Sequence, residues 1–175
     1  YVLPFTAIID QNYQVLYELY QLAGMKDAES YKTIMKHHYL TTLKNQGEAD
    51  KNEMYSDNQF QLLMENWEAS TIVTTFVQFL ESIVGSRNRM VKKVQSFQNA
   101  VVILDEIQAV DVHFYPLMNA VFQKLVTMYN MRIILMTATR PLFFSNCTEL
   151  LTNYRQYFRS VNRTKLKINL TKQPV

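Results

Sequence analysis

The sequence predicts an α/β fold in which a mostly parallel sheet is flanked by helices, and three observations carry the expectation. Val101-Val102-Ile103-Leu104 runs straight into Asp105-Glu106-Ile107-Gln108, and Ile133-Ile134-Leu135-Met136 ends in Thr137-Ala138-Thr139. Short unbroken apolar runs rich in β-branched residues are the mark of strands covered on both faces, as happens when helices lie on both sides of a parallel sheet. The third observation is that the change from strand-like to helix-like spacing recurs along the chain, which is the rhythm of a layered α/β sheet.

Taken in order, Tyr1 to Pro4 reads as a strand. Ile8 to Leu22 reads as a helix whose apolar face is Ile8, Val15, Leu16, Leu19, Tyr20 and Leu22, with Thr6 as its N-cap and Gly24 as its stop. Thr33 to Leu40 reads as a strand, and the polar stretch Thr41 to Asn58 as a loop or insertion. Thr71 to Thr74 is a short β-branched strand, after which Phe76, Phe79, Leu80 and Ile83 recur at helical spacing up to Gly85. Ser86 to Gln98 is polar and basic, with Arg87, Arg89, Lys92 and Lys93 placed to face a polyanion. Pro116 suits the first turn of a helix that buries Leu117, Ala120, Val121, Leu125 and Met128 before Asn130. A further helix is expected near Pro141, and Thr164 to Leu170 alternates like a half-exposed strand or exit segment.

Composition narrows the class. A chain of 175 residues with 48% apolar and 13% aromatic residues is long enough for one packed domain. The formal charge of +3 is small, but after Glu149 there is no acid, while Arg155, Arg159, Arg163, Lys165, Lys167 and Lys172 follow, interleaved with Tyr154, Tyr157 and Phe158. Such an end suits phosphates and bases, and equally a solvated linker or interface face. Cys147 is the only cysteine and is expected to be a packed thiol, which excludes an internal disulfide and fits a reducing, cytoplasmic setting. No apolar stretch approaches the ~20 residues that cross a bilayer, so no membrane association is expected. The absence of an initiator Met suggests a piece of something longer.

In open parallel sheets ligands bind outside the carboxyl ends of the strands, which is where the acidic pair and the threonine pair fall. Magnesium retains several waters and is usually held by one or two carboxylates together with substrate phosphates, so one aspartate at a strand edge suffices. A neighbouring glutamate that projects differently can orient or deprotonate an attacking water. An acidic pair alone is as readily a solvated strand end. Asp-Glu-Ile-Gln followed at crossover distance by Thr-Ala-Thr is far more specific.

With these motifs the chain resembles the first RecA-like lobe of a superfamily-2 helicase, and more narrowly the helicase-nuclease of type I CRISPR interference. Leu3-Pro4-Phe5-Thr6 with Gln11-Asn12 resembles motif Ia. Glu65-Asn66-Trp67-Glu68-Ala69 followed by Ile72-Val73-Thr74-Thr75-Phe76-Val77-Gln78 resembles the motif Ib region. Asp105-Glu106-Ile107-Gln108 matches motif II, and Leu135-Met136-Thr137-Ala138-Thr139 with Pro141 matches motif III.

The resemblance implies that Asp105 holds Mg2+ through water, that Glu106 activates the hydrolytic water of ATP, and that Gln108 couples the nucleotide site to motif III. It implies that Thr137, Ala138 and Thr139 pass nucleotide state to the nucleic-acid side. Pro4, Phe5, Thr6, Gln11, Thr74, Thr75 and Gln78 would line a single-stranded DNA path. Implied partners are single-stranded DNA, the remainder of a helicase-nuclease chain and a CRISPR RNA-guided surveillance complex. Residues 1–163 would form the lobe and 164–175 an exit segment toward a second lobe.

His37-His38 resembles a pair that follows motif Ia and is expected near nucleic acid rather than on a metal, since neighbouring strand residues face opposite ways. His113 is expected at a surface or helix entry, and Trp67 in the core. A phosphate-cradling Gly-x-x-x-x-Gly-Lys is missing, because none of Gly24, Gly47 and Gly85 has that context. An absent arginine finger costs roughly 10³ to 10⁵ in rate, so the chain alone is expected not to hydrolyse ATP. The alternatives are a short non-catalytic helicase-lobe module that binds DNA or protein, or a lobe of another superfamily-2 helicase.

Overall fold

A computed structural model of the chain describes residues 1–25, 32–38, 57–85, 92–139 and 147–160. Five strands are present among them: β1 (Val2–Leu3), β2 (Ile34–His37), β3 (Thr71–Thr75), β4 (Val101–Asp105) and β5 (Arg132–Met136). All pair in parallel, in the order β2-β3-β1-β4-β5. The α-helices among the described residues are α1 (Ile9–Leu22), α2 (Asp57–Asn66), α3 (Phe76–Val84), α4 (Tyr115–Tyr129) and α5 (Tyr154–Ser160). This is the α/β architecture of a RecA-like lobe. By contact the chain divides into two units, Tyr1–Phe143, which holds the sheet, and Phe144–Val175, which holds α5.

The chain leaves β1 through a 3-10 turn, Thr6–Ile8, before α1. Thr6 therefore lies within that turn, and the N-cap of α1 is Ile8, with no side-chain cap bond. The helix ends as Gly24 suggested. Gly24 has φ +75, its N–H meets the Gln21 carbonyl, and the Met25 N–H reaches back to Tyr20, a Schellman closure. A Cβ on Gly24 would meet no atom within 4 Å, so the cost of Gly24→Ala is torsional. We expect a loss of about 1 kcal/mol from the left-handed backbone alone, read as a lowered thermal midpoint; no loss would show that this closure does not form.

The buried face of α1 differs from the expected one. Ile9 is fully buried, and Ile8, Tyr13 and Leu16 pack beside it against Leu3 and Val73, whereas Val15, Leu19 and Leu22 are exposed. Positions 9, 13, 16 and 20 form a stripe at helical spacing, and the broad apolar composition of this helix hid which stripe faces the sheet. In α4 the same shift occurs. Pro116 does lie in its first turn and Leu125 is buried as expected, but the other buried residues are Met118 and Phe122, while Leu117 and Met128 face outward. The expected strands were longer or shorter by a few residues than β1, β2 and β3. The stretch expected as a loop to Asn58 overlaps the start of α2 at Asp57 and Asn58, and Leu63 and Met64 of that helix pack on Met35 of β2.

A chain of aromatic rings forms the second part of the core. Trp67 meets Phe97 at 6.2 Å between centroids, Phe97 meets Phe79 at 6.0 Å, and Phe79 meets Phe122 at 6.5 Å. These edge-on and tilted pairs join the end of α2, a 3-10 turn at Lys92–Phe97, α3 and α4. Trp67 is in the core, as expected. Lys93 is not on a polyanion-facing surface: it is only 3% exposed, with its ammonium 4.7 Å from the Trp67 ring centre. Lys92 pairs with Glu65 at 3.2 Å on the surface. Arg87 and Arg89, the helix near Pro141 and the exit segment 164–175 lie outside the described residues. Cys147 is exposed rather than packed. Among the described residues no helix is long and apolar enough to cross a membrane.

Candidate functional site

Parallel register gathers the chemistry along one edge. Leu3 pairs with Thr75, Val2 with Leu104 and Asp105 with Met136, so the last residues of β3, β1, β4 and β5 stand in one row. Immediately beyond these strand ends the chain carries Phe76-Val77-Gln78, Pro4-Phe5-Thr6, Glu106-Ile107-Gln108 and Thr137-Ala138-Thr139. Carboxyl ends of strands in an open parallel sheet form the crevice where ligands bind. β4 and β5 were expected to be covered on both faces. Instead β4 alternates between buried and more exposed positions and β5 has no buried residue, because β5 is the edge strand among the described residues.

Asp105 is the final residue of β4 and half-buried. One carboxylate oxygen, Oδ2, accepts a 2.5 Å hydrogen bond from the phenol of Tyr1; among the described residues Oδ1 accepts none. Burial pushes the Tyr1 phenol upward in pKa, and the hydrogen bond and charge of Asp105 and the charge of Glu106 push it further, so it remains a donor at any ordinary pH. Tyr1 belongs to none of the sequence motifs. Its only signal was a hydroxyl-bearing residue at the head of β1, and its value depends on β1 lying next to β4.

Glu106 leaves the strand through a left-handed backbone, φ 53 and ψ 42, and is exposed. A non-glycine residue there costs about 1–2 kcal/mol, and such strain gathers where a site needs a side chain aimed out of the ordinary alternation. Glu106 Oε2 accepts from the Gln108 side-chain amide, and the Thr137 hydroxyl lies 2.5 Å from Gln108 Oε1. The same hydroxyl lies 2.6 Å from the Thr139 carbonyl and accepts from the Thr139 N–H at 3.2 Å. One hydroxyl proton serves one carbonyl at a time, so the link to Gln108 competes with the turn to Thr139. The structure thus brings together Asp105, Glu106, Gln108, Thr137 and Thr139, from two strand ends; Ala138 lies between the threonines.

The residues expected along a DNA path divide. Phe5 and Gln11 are exposed, and Pro4, Thr6 and Gln78 half-buried. Thr75 is the N-cap of α3, its hydroxyl accepting from the Gln78 N–H at 3.1 Å. The Thr74 hydroxyl is spent inside the sheet: it is buried and donates to the His37 carbonyl at 2.7 Å, which leaves no proton for a phosphate. His37 and His38 are buried as well, and His37 Nδ1 accepts the Trp67 indole N–H at 2.6 Å, so this ring serves the core rather than an exposed nucleic-acid surface. His113 is exposed at the entry to α4, beside Asp111. On α5, Arg155 and Tyr157 are exposed, and the Arg155 guanidinium lies over the Tyr154 ring.

Asp105 and Glu106 form a donor set of hard carboxylate oxygens with one oxygen of Asp105 open. Among the described residues no cluster of three or more His, Cys, Asp or Glu is placed to hold a metal. Such a pair fits magnesium, which needs only one or two carboxylates besides water and phosphate oxygens.

No family model matches the chain, and no solved structure matches it. The CRISPR-associated nuclease/helicase Cas3 of Haloferax volcanii is 37% identical to it over 145 residues, which is 81% of this chain. The chain spans 15% of the length of that protein.

Proposed function

We propose, on the premise of this partial homology to a Cas3 nuclease/helicase, that the chain is a motor-lobe segment that couples Mg-ATP hydrolysis to movement along single-stranded DNA. In this reading residues 1–163 belong to the lobe and 164–175 lead out of it. The observation that carries the reading is the hydrogen-bonded path from Glu106 through Gln108 to Thr137. It joins the end of β4 to the end of β5 and gives two strand-end motifs a physical connection.

Within it, Asp105 would anchor a magnesium ion through water, and the ion would neutralise phosphate charge in the nucleotide. Glu106, aimed out of the strand, would take the proton of the attacking water. A change in its charge or position would pull on the Gln108 amide. The Thr137 proton would then move between Gln108 and the Thr139 carbonyl, altering the turn that follows β5. Phe5, Thr6, Gln11, Gln78 and the N-terminus of α3 behind Thr75 would meet the phosphates of the strand, with Pro4 shaping the turn. The wider partners would be the rest of the helicase-nuclease and the RNA-guided complex that recruits it.

The test is Thr137→Val in the full-length protein that supplies the phosphate loop and second lobe. ATP hydrolysis should stay within about twofold, and strand displacement should fall roughly tenfold, the equivalent of about 1.4 kcal/mol for one hydrogen bond in the path. Equal losses in both, or in neither, would remove Thr137 from coupling.

A further inference from the structure

We propose that Tyr1 is a positioning residue for Asp105: its phenol fixes the carboxylate in one orientation and reserves Oδ1 for the metal. The inference rests on the reading of Asp105 as the magnesium anchor and adds a residue outside motif II.

A carboxylate at a strand end has a broad, roughly two-fold terminal torsion, so without a partner it presents either oxygen in many directions. Tyr1 removes that freedom because it is itself held. Its main-chain nitrogen donates to the Ile72 carbonyl at 2.7 Å, and its own carbonyl accepts from the Thr74 N–H at 2.9 Å, so both ends of the residue are tied to β3. The ring packs beside Leu3, Ile9 and Val73. From that fixed base the hydroxyl reaches Asp105 Oδ2 at 2.5 Å, the length expected of an O–H donor on a carboxylate. Oδ2 is thereby engaged, and Oδ1 is the oxygen that takes no bond among the described residues. Tyr1 thus links β3, β1 and β4 at the level of the site, in the way outer partners of metal ligands orient them.

A bond that served only to join β1 to β4 would have the same geometry, and metal affinity separates the two roles. Mn2+ alone, standing in for magnesium, would be titrated into the isotopically labelled 175-residue chain, and paramagnetic broadening of the amides from Asp105 to Gln108 followed by NMR. Tyr1→Phe should retain a dispersed spectrum and raise the apparent dissociation constant roughly 10-fold or more, as loss of an outer-shell partner does. Asp105→Asn should abolish the local broadening. Broadening that survives Asp105→Asn would overturn the metal reading itself. Broadening lost in Asp105→Asn but unchanged in Tyr1→Phe would leave the metal reading standing and overturn the role of Tyr1. Should Tyr1→Phe lose its dispersion, Tyr1→Met fills the same place without a hydroxyl; unfolding of both would make the residue structural and overturn the proposal.

Discussion

Glu106→Gln is expected to lower ATP turnover in the full-length protein by roughly 10²- to 10⁴-fold, the usual contribution of a positioned general base. Nucleotide binding should change by less than about threefold, because the amide preserves volume and an oxygen that can accept from Gln108. The backbone conformation of Glu106 explains why the loss should be large and local. A residue continuing β4 would project to the face opposite Asp105, but φ 53 takes the Glu106 backbone out of the strand while Asp105 remains its last residue. Two adjacent carboxylates thus leave the strand end through different backbone conformations, and among the described residues no group of three or more His, Cys, Asp or Glu is placed to hold a metal. Single-turnover hydrolysis beside equilibrium nucleotide binding would decide the matter; undiminished hydrolysis removes Glu106 from the base role.

Phe79→Ala should cost about 3–5 kcal/mol, the range for deleting a large buried aromatic ring. Phe79 is 2% exposed and lies between Phe97 and Phe122, so its removal separates α3 from both the Lys92–Phe97 turn and α4. Domains of this size are stable by only ~5–15 kcal/mol, and the variant should show a urea midpoint near zero or no cooperative transition. A loss below ~1 kcal/mol would mean that the aromatic chain is not a main part of the core of the sheet unit.

The fold class was legible because parallel strands and crossover helices write themselves locally: apolar runs, helical spacing, Pro116 at a helix start, Gly24 at a helix end. Asp105, Glu106, Gln108, Thr137 and Thr139 were legible because they abut those runs. What was not legible depends on pairing across the sheet. Nothing near Tyr1 in sequence announces Asp105 as its partner, and Thr74 looks as available as Thr75 until β2 is laid beside β3. Lys93 misled for a related reason: a basic stretch suggests a solvated face, but the ring of Trp67, far away in sequence, receives its ammonium in the interior. The helix faces of α1 and α4 were legible only in part, at Ile8, Leu16 and Leu125, because each helix carries more apolar residues than one stripe can bury.

The two asparagines that precede β4 and β5 give the site a property of its own. Asn99 and Asn130 both adopt left-handed backbones, their side chains are hydrogen-bonded at 2.8 Å, and the Asn99 N–H also meets the Tyr129 carbonyl. β4 and β5 thus leave a common starting line, and each runs five residues to its end. Asp105-Glu106-Ile107-Gln108 and Thr137-Ala138-Thr139 arrive level because the strands are equal in length and are aligned at the opposite edge of the sheet. The hydrogen bond between Gln108 and Thr137 is therefore gauged from afar: one residue added to or removed from either strand would offset the two ends by about 3.3 Å and turn every later side chain to the other face. Spacing between Asn99 and Asp105, and between Asn130 and Met136, is as much a part of the site as the residues that touch.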